Sequence, residues 1–163
     1  PGLAESPLVV GAWDVLAGKA TVRGKVAVLG GGQVGVETAE LLAEQGARVT
    51  IIEAASEIAS DAEPIPRSWS LAHLDELGVS VRTGTKVVEV SDTGVLAEHC
   101  GVTSKLTGFD TVVTAFGSRS ESALATEIPE AGFCGRVLVV GDALGVADAF
   151  EDIRNAYEAA CSI

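Results

Sequence analysis

The chain has 163 residues and a formal net charge of −12; 47% of its residues are hydrophobic and 21% are charged. That length holds one domain, or one domain with appendages, and the apolar fraction supplies a sizeable core. No Lys/Arg cluster offsets the acidity, which disfavours a nucleic-acid surface, and no apolar run approaches the roughly 18 residues that a membrane span needs.

The N-terminus, PGLAESPLVV, lacks the basic region and long apolar core of a signal peptide. The three cysteines, Cys100, Cys134 and Cys161, are widely spaced and form no CxxC pair. A zinc site or dithiol centre is therefore unsupported, and reduced thiols in a cytoplasm are the simpler expectation. The chain contains no methionine and begins at Pro1, as expected of a piece of a longer protein or of a processed form.

In chain order, Pro1–Pro7 is turn-like, Leu8–Val10 reads as a short strand and Ala12–Ala17 as a helical turn. Lys25–Leu29 is short, apolar and stopped by glycine, as a buried strand is. From Val34 to Gln45 the pattern is helical. Val34, Thr38, Leu41 and Leu42 share one face, Glu37, Glu40 and Glu44 another, and Gly46 follows as a C-terminal stop. Arg48–Ile52 is the next β-branched run. Strand, helix and strand in succession predict a parallel pair with a right-handed crossover.

Pro64 and Pro66 are expected to break the next segment, with a helix over Arg67–Leu77. Three short strands, Val79–Arg82, Lys86–Val90 and Gly94–Ala97, read as a small antiparallel meander. Asp110–Phe116 reads as a buried strand, Ser118–Gly132 as irregular with a helical turn near Leu124, Arg136–Val140 as a strand, and Ala147–Ala160 as a closing helix.

The chemistry concentrates at VAVLGGGQVGVE (26–37). Gly30, Gly32 and Gly35 form GxGxxG, with Gly31 inside it. Gly30 allows a sharp turn out of the strand, Gly32 allows backbone to approach a pyrophosphate, and Gly35 allows close helix–strand packing. Backbone N–H groups of Gln33 and Val34 then open a helix whose N-terminus favours an anion. Glu53 lies 21 residues beyond Gly32, at the end of the second strand, where an acid accepts hydrogen bonds from adenosine ribose hydroxyls. It would repel a 2′-phosphate, and Ala54, Ala55 and Ser56 supply no arginine to hold one, which favours NAD over NADP. The alternative is a glycine-rich turn followed by an ordinary surface Glu. Glu37, in the first helical turn, either complements the helix dipole or touches the cofactor. His73 and His99 have no partner at metal or catalytic spacing, and Trp13 and Trp69 read as packing residues. Nothing in the order of Ser, His and Asp, and no HExxH, supports hydrolysis.

VAVLGGGQVGVETAELLAEQGARVTIIE resembles the pyridine-nucleotide domain nested inside two-dinucleotide flavoproteins. GFDTVVTAFGSRSESAL (108–124), VLVVGDALGVADAFEDIRNAYEAA (137–160) and the leader PGLAESPLVVGAWDVLAGKATVRGKVAVLGGG resemble the C-terminal part of the NADH:flavin oxidoreductases related to 2,4-dienoyl-CoA reductase and trimethylamine dehydrogenase. The resemblance implies an α/β fold: a Rossmann-like parallel sheet carrying an antiparallel β-meander, nested as the NAD(P)-binding domain of a two-dinucleotide flavoprotein. It implies a leader over 1–24, an NAD(H)-binding domain over 25–117, and a return segment with closing helix over 118–163 from the FAD-binding half. It also implies that Gly141 and Asp142 face the flavin pyrophosphate and ribityl region. By the same resemblance, Phe116, Gly117 and Glu37 would lie near the nicotinamide end of bound NAD. In that family a barrel absent from this chain holds FMN and a 4Fe-4S cluster, and the first glycine fingerprint of the FAD half is also absent here.

Three functions compete. The leading one is an NAD(H)-binding portion of a flavin-dependent oxidoreductase that positions nicotinamide for hydride exchange with a flavin held elsewhere. The second is a non-redox ADP-binding or scaffolding domain. The third, a methyltransferase, shares the glycine turn and the acid but fits the meander and the GDA segment poorly. Apolar surface left by the missing flavin half is expected to drive dimerisation or swapping of the closing helix, Ala147–Ala160.

Overall fold

The computed structural model describes residues 6–163, in two compact units, one ending at Gly117 and the other spanning Ser118–Ile163. The turn expected over Pro1–Pro7 lies mostly outside the described residues.

The first unit contains eight strands and three helices: β1 (Val9–Gly11), α1 (Ala12–Leu16), β2 (Lys25–Leu29), α2 (Gln33–Glu44), β3 (Arg48–Ile52), α3 (Pro64–Glu76), β4 (Ser80–Arg82), β5 (Thr85–Ser91), β6 (Gly94–His99), β7 (Val102–Leu106) and β8 (Thr111–Thr114). Five strands form a parallel sheet in the order β1-β8-β2-β3-β4, and β5-β6-β7 form an antiparallel sheet.

β2 is the keel of the parallel sheet. It is bonded on both sides, to β3 and β8, and Val26, Ala27, Val28 and Leu29 are all fully buried. Successive side chains of a strand point to opposite faces, and the two faces have separate cores. Val26 and Val28 pack with Val36, Ala39 and Leu42 of α2; Ala27 and Leu29 pack with Val90 and Val95 of the antiparallel sheet. A parallel sheet needs such cover on both faces, which is why β2 reads as an unbroken apolar run. Each of the valine and leucine side chains among them contributes about 1.5–3 kcal/mol by leaving water.

The strands β2 and β3 have the bounds expected from sequence, and α2 begins one residue early. Elsewhere the structure corrects the reading. α3 starts at Pro64, not Arg67, because both prolines lie in its opening turn, where a helix has no intrahelical use for their missing N–H groups. The strand expected over Val79–Arg82 is β4, the edge of the parallel sheet paired with β3, and not part of the meander. The third meander strand is β7, whose mostly exposed VTSKL lacks a sequence signal because little of it is buried. Trp13 and Trp69 are not the packing residues expected: they are 62% and 75% exposed, whereas Val15 of α1 and Leu74 of α3 are buried in the core.

The second unit contains α4 (Ala123–Glu130), a single 3₁₀ turn at Gly141–Ala143, and α5 (Ala149–Cys161). The helical turn expected near Leu124 is a full helix, α4, within the segment otherwise expected to be irregular. Arg136–Val140 is not a strand: among the described residues no backbone pairs with it, and an isolated strand is not stable by itself. α5 is capped by Asp148, whose Oδ1 accepts the Glu151 N–H at 2.9 Å. No helix among the described residues is long and apolar enough to cross a membrane.

His73 on α3 is more than a solvated residue. Its Nε2 lies 3.1 Å from Glu44 Oε1 on α2, and its Nδ1 lies 3.7 Å from Glu76 Oε2. The hydrogen bond to Glu44 is the main reason its pKa rises above the ordinary 6.5, with Glu40 and Glu76 adding to it against partial desolvation. A raised histidine pKa stabilises the fold fully below 6.5 and loses that stabilisation as pH rises through the raised value. Thermal unfolding at low salt should therefore show a melting temperature that falls as pH rises past 6.5, and His73→Gln should flatten that slope.

Candidate functional site

The chain connections part at β2. It leads through α2 to β3 on one side, whereas β8 lies on the other. In an open parallel sheet the crevice at the carboxyl ends of such strands is where ligands bind. Residues 30–35 leave β2 at that place.

Gly30 turns out of the strand with φ +105°, and a Cβ on it would fall on the carbonyl oxygen of Ala115. Its N–H donates to Ile52 O at 2.9 Å. Gly31 is buried, and a Cβ there would lie 2.5 Å from Ile58 Cγ2 and 3.1 Å from Glu53 Cβ. A Cβ on Gly35 would fall on the carbonyl of Gly30. Close approach therefore requires these three positions to be bare. Gly32 is the N-cap of α2 and brings no capping side chain. The first N–H groups of a helix have no intrahelical acceptor, so this end of α2 presents backbone donors and the positive end of the dipole to the crevice.

Glu53 follows β3 and reaches back to the same loop. Its Oε2 accepts the Gly31 N–H at 2.6 Å, and its Oε1 accepts the Ala55 N–H at 2.7 Å. A carboxylate oxygen has further lone-pair capacity beyond one bond, so Glu53 holds the glycine loop and still has acceptor capacity for hydroxyl donors. Beside it lies a cleft of about 190 Å³ lined by Gly30, Glu53, Thr85, Lys86 and Phe116, among others.

Gln33 is exposed at the first position of α2, and Val34 is half-buried, its carbonyl accepting the Thr38 hydroxyl at 2.6 Å. Glu37 is the fifth residue of α2 and exposed; because the helix starts at Gln33, Glu37 lies beyond the first turn. Phe116 is 58% exposed just past β8, and Gly117 follows with φ +87°. Gly30, Glu53 and Phe116 thus share one cleft. Gly141 and Asp142 belong to the second unit. There Gly141 has φ +63°, and Asp142 Oδ1 accepts the Ala147 N–H at 3.3 Å. Asp152 sits beside them, its carboxyl held above the ordinary 3.8 first by desolvation and then by the charges of Asp142 and Asp148.

Three contributors have no sequence signal. Thr85 and Lys86 open β5, distant along the chain and brought to the cleft only by the docking of the two sheets. Asp61 lies in the loop before α3, yet both its carboxylate oxygens sit 3.1 Å from the Gln33 nitrogen.

This site sits within a sequence whose residues 13–145 match the model of the pyridine nucleotide-disulphide oxidoreductases. The chain belongs to that family. It is 39% identical over 162 residues to NADH oxidase of Thermoanaerobacter brockii, covering 98% of this chain and 25% of that protein. It is 32% identical over 185 residues to metal reductase of Desulforamulus reducens, covering 96% and 27%. The fold matches 2-naphthoyl-CoA reductase with a TM-score of 0.86 and 28% identity, over 99% of this chain and 24% of that one. Histamine dehydrogenase from Rhizobium sp. 4-9 shares the fold at TM-score 0.81 and 22% identity, over 95% and 26%. The chain spans about a quarter of the length of these relatives. It is a nucleotide-binding oxidoreductase domain of the kind found in flavoprotein reductases, as its glycine motif implies.

The backbone contact at Gly35 gives a direct test. Gly35→Ala should destabilise the chain by about 1–3 kcal/mol, because a new methyl group meets a carbonyl that cannot move without shifting β2. Urea unfolding of the two proteins measures the difference.

Proposed function

We propose that this chain binds NAD(H) and orients it toward a flavin held by other parts of a longer flavoprotein reductase. The observation that carries the reading is the joint geometry of the bare glycine loop, the N-terminus of α2 and Glu53 at one crevice. In this reading the N–H groups of Gln33 and Val34 hold the pyrophosphate. Glu53 accepts from the adenosine ribose hydroxyls, while Phe116 and Gly117 border the nicotinamide end. When bound, the nicotinamide supplies hydride chemistry; the protein supplies binding and orientation. No side chain of the site needs to act as an acid or a base.

Glu53 favours NAD over NADP by repelling a 2′-phosphate, and residues 54–56 offer no arginine to counter it. Residues 25–117 form the nucleotide domain in this reading, and 1–24 and 118–163 derive from a flavin-binding half. Gly141 and Asp142 there face FAD, and FMN and a 4Fe-4S cluster belong to a barrel domain outside this chain. The activities named for the relatives support an NADH-dependent reductase or oxidase as the parent.

The second unit supports the need for further protein. None of the residues of α5 is buried, and Phe150, Ile153 and Tyr157 are each at least 70% exposed. We assign this apolar face to the flavin-binding half of the longer protein; by itself, the chain should self-associate through it. Light scattering over a concentration series should show dimers or larger species, and a clean monomer at high concentration overturns the assignment.

Calorimetric titration tests the nucleotide reading. NADH should bind more tightly than NADPH and than ADP, and Glu53→Gln should weaken NADH about tenfold while narrowing the gap to NADPH. A folded chain with no affinity for NADH overturns the reading.

A further inference from the structure

The end of α2 that awaits a pyrophosphate already faces an anion. Both carboxylate oxygens of Asp61 lie 3.1 Å from the Gln33 nitrogen, so its N–H donates to them as a shared bond. Asp61 Oδ2 would also lie 3.1 Å from a Cβ on Gly32, so the carboxylate stands over the residue whose bareness admits a ligand. The contact spans 28 residues of sequence, so it is not an ordinary local cap. It acts as one nonetheless: Gly32 caps nothing, and Asp61 supplies the acceptor that the N-cap residue lacks.

The loop carrying Asp61 is held firmly. Ile58 and Ala59 are buried, and the Ala59 N–H donates to Gly31 O at 2.6 Å. Arg67 clamps the loop from α3, its Nε donating to Ile58 O at 3.1 Å and its guanidinium pairing with Glu57 at 2.6 Å. Asp61 itself is exposed. The backbone therefore has reason to stay in place, while the carboxylate needs only a side-chain rotation into water to leave.

We propose that Asp61 is an intramolecular competitor for the pyrophosphate position, a side-chain gate that occupies the N-terminus of α2 until a nucleotide displaces it. This rests on the nucleotide reading of the site and adds to it a residue that sets affinity. A carboxylate and a pyrophosphate at the same N–H group repel strongly at contact distance, so one must withdraw. The gate stabilises the nucleotide-free chain by capping α2, and it lowers apparent affinity by the same interaction, since a ligand that binds only the open form must first break it. The competition is at the phosphates, so it should act equally on NADH and on ADP, and it should shrink as salt screens the exposed carboxylate.

The experiment is calorimetric titration of the full chain and of Asp61→Asn and Asp61→Ala with NADH and with ADP, alongside thermal unfolding without ligand. Asp61→Asn keeps an acceptor for the Gln33 N–H and removes the charge; Asp61→Ala removes both. The expected result is that both variants bind NADH and ADP more tightly, by about threefold to tenfold and by the same factor for each ligand. Asp61→Ala should in addition melt at a lower temperature than the parent without ligand. Tighter binding combined with lower stability is a pairing that a merely structural cap would not produce. If the parent binds NADH and the variants bind no better, or worse, the gate is overturned and the nucleotide reading stands. If neither ligand binds any folded variant, both are overturned together.

Discussion

The backbone of α2 rests on the carbonyl of Gly30, with no side chain between helix and strand. Every other feature of the site depends on that approach. Because Gly35 is bare, the first turn of α2 comes down against the end of β2; because Gly30 turns with positive φ beside Ala115, the loop between them clears β8. The consequence is that backbone N–H groups, not side chains, face the crevice. Glu53 completes the arrangement by tying the Gly31 N–H to the end of β3, so the loop is held by strand geometry on one side and by a carboxylate on the other.

In the proposed reading, this is how a chain of net charge −12 would hold an anion. Distant surface charges are screened in salt, whereas backbone dipoles in a half-buried loop act at contact distance. The carboxylates near the loop are few and placed with distinct effects. Glu53 is occupied with N–H donors and Glu37 points into solvent beyond the first turn. Asp61 accepts the Gln33 N–H, the group assigned to a phosphate in the proposed reading.

The two units differ in how complete they are as folded objects. In the first, β2 is covered on both faces and two cores close around it. In the second, α5 has no buried residue and, among the described residues, Arg136–Val140 has no strand beside it. An amphipathic helix and an apolar extended segment both leave apolar surface uncovered, and the relatives, of which this whole chain spans about a quarter, contain more protein that could cover it.

The sequence by itself determined the elements whose signals are local. The apolar run of β2, the heptad-like spacing of α2 and the glycines between them specify a strand, a turn and a helix without reference to the rest of the chain, and Glu53 follows at the spacing that a parallel pair requires. Only the tertiary structure decided what depends on partners. Whether 79–82 joins the parallel sheet or the meander depends on which edge is free, and β3 offers one. Whether Arg136–Val140 is a strand depends on a neighbouring backbone. Prolines that look like breakers became the first turn of α3 because the helix begins there. Asp61 has no mark in its own segment, and its position on the Gln33 N–H follows from Ile58 and Ala59 being buried against the glycine loop. Hydrogen bonds across such distances along the chain are set by packing, which is a property of the folded whole.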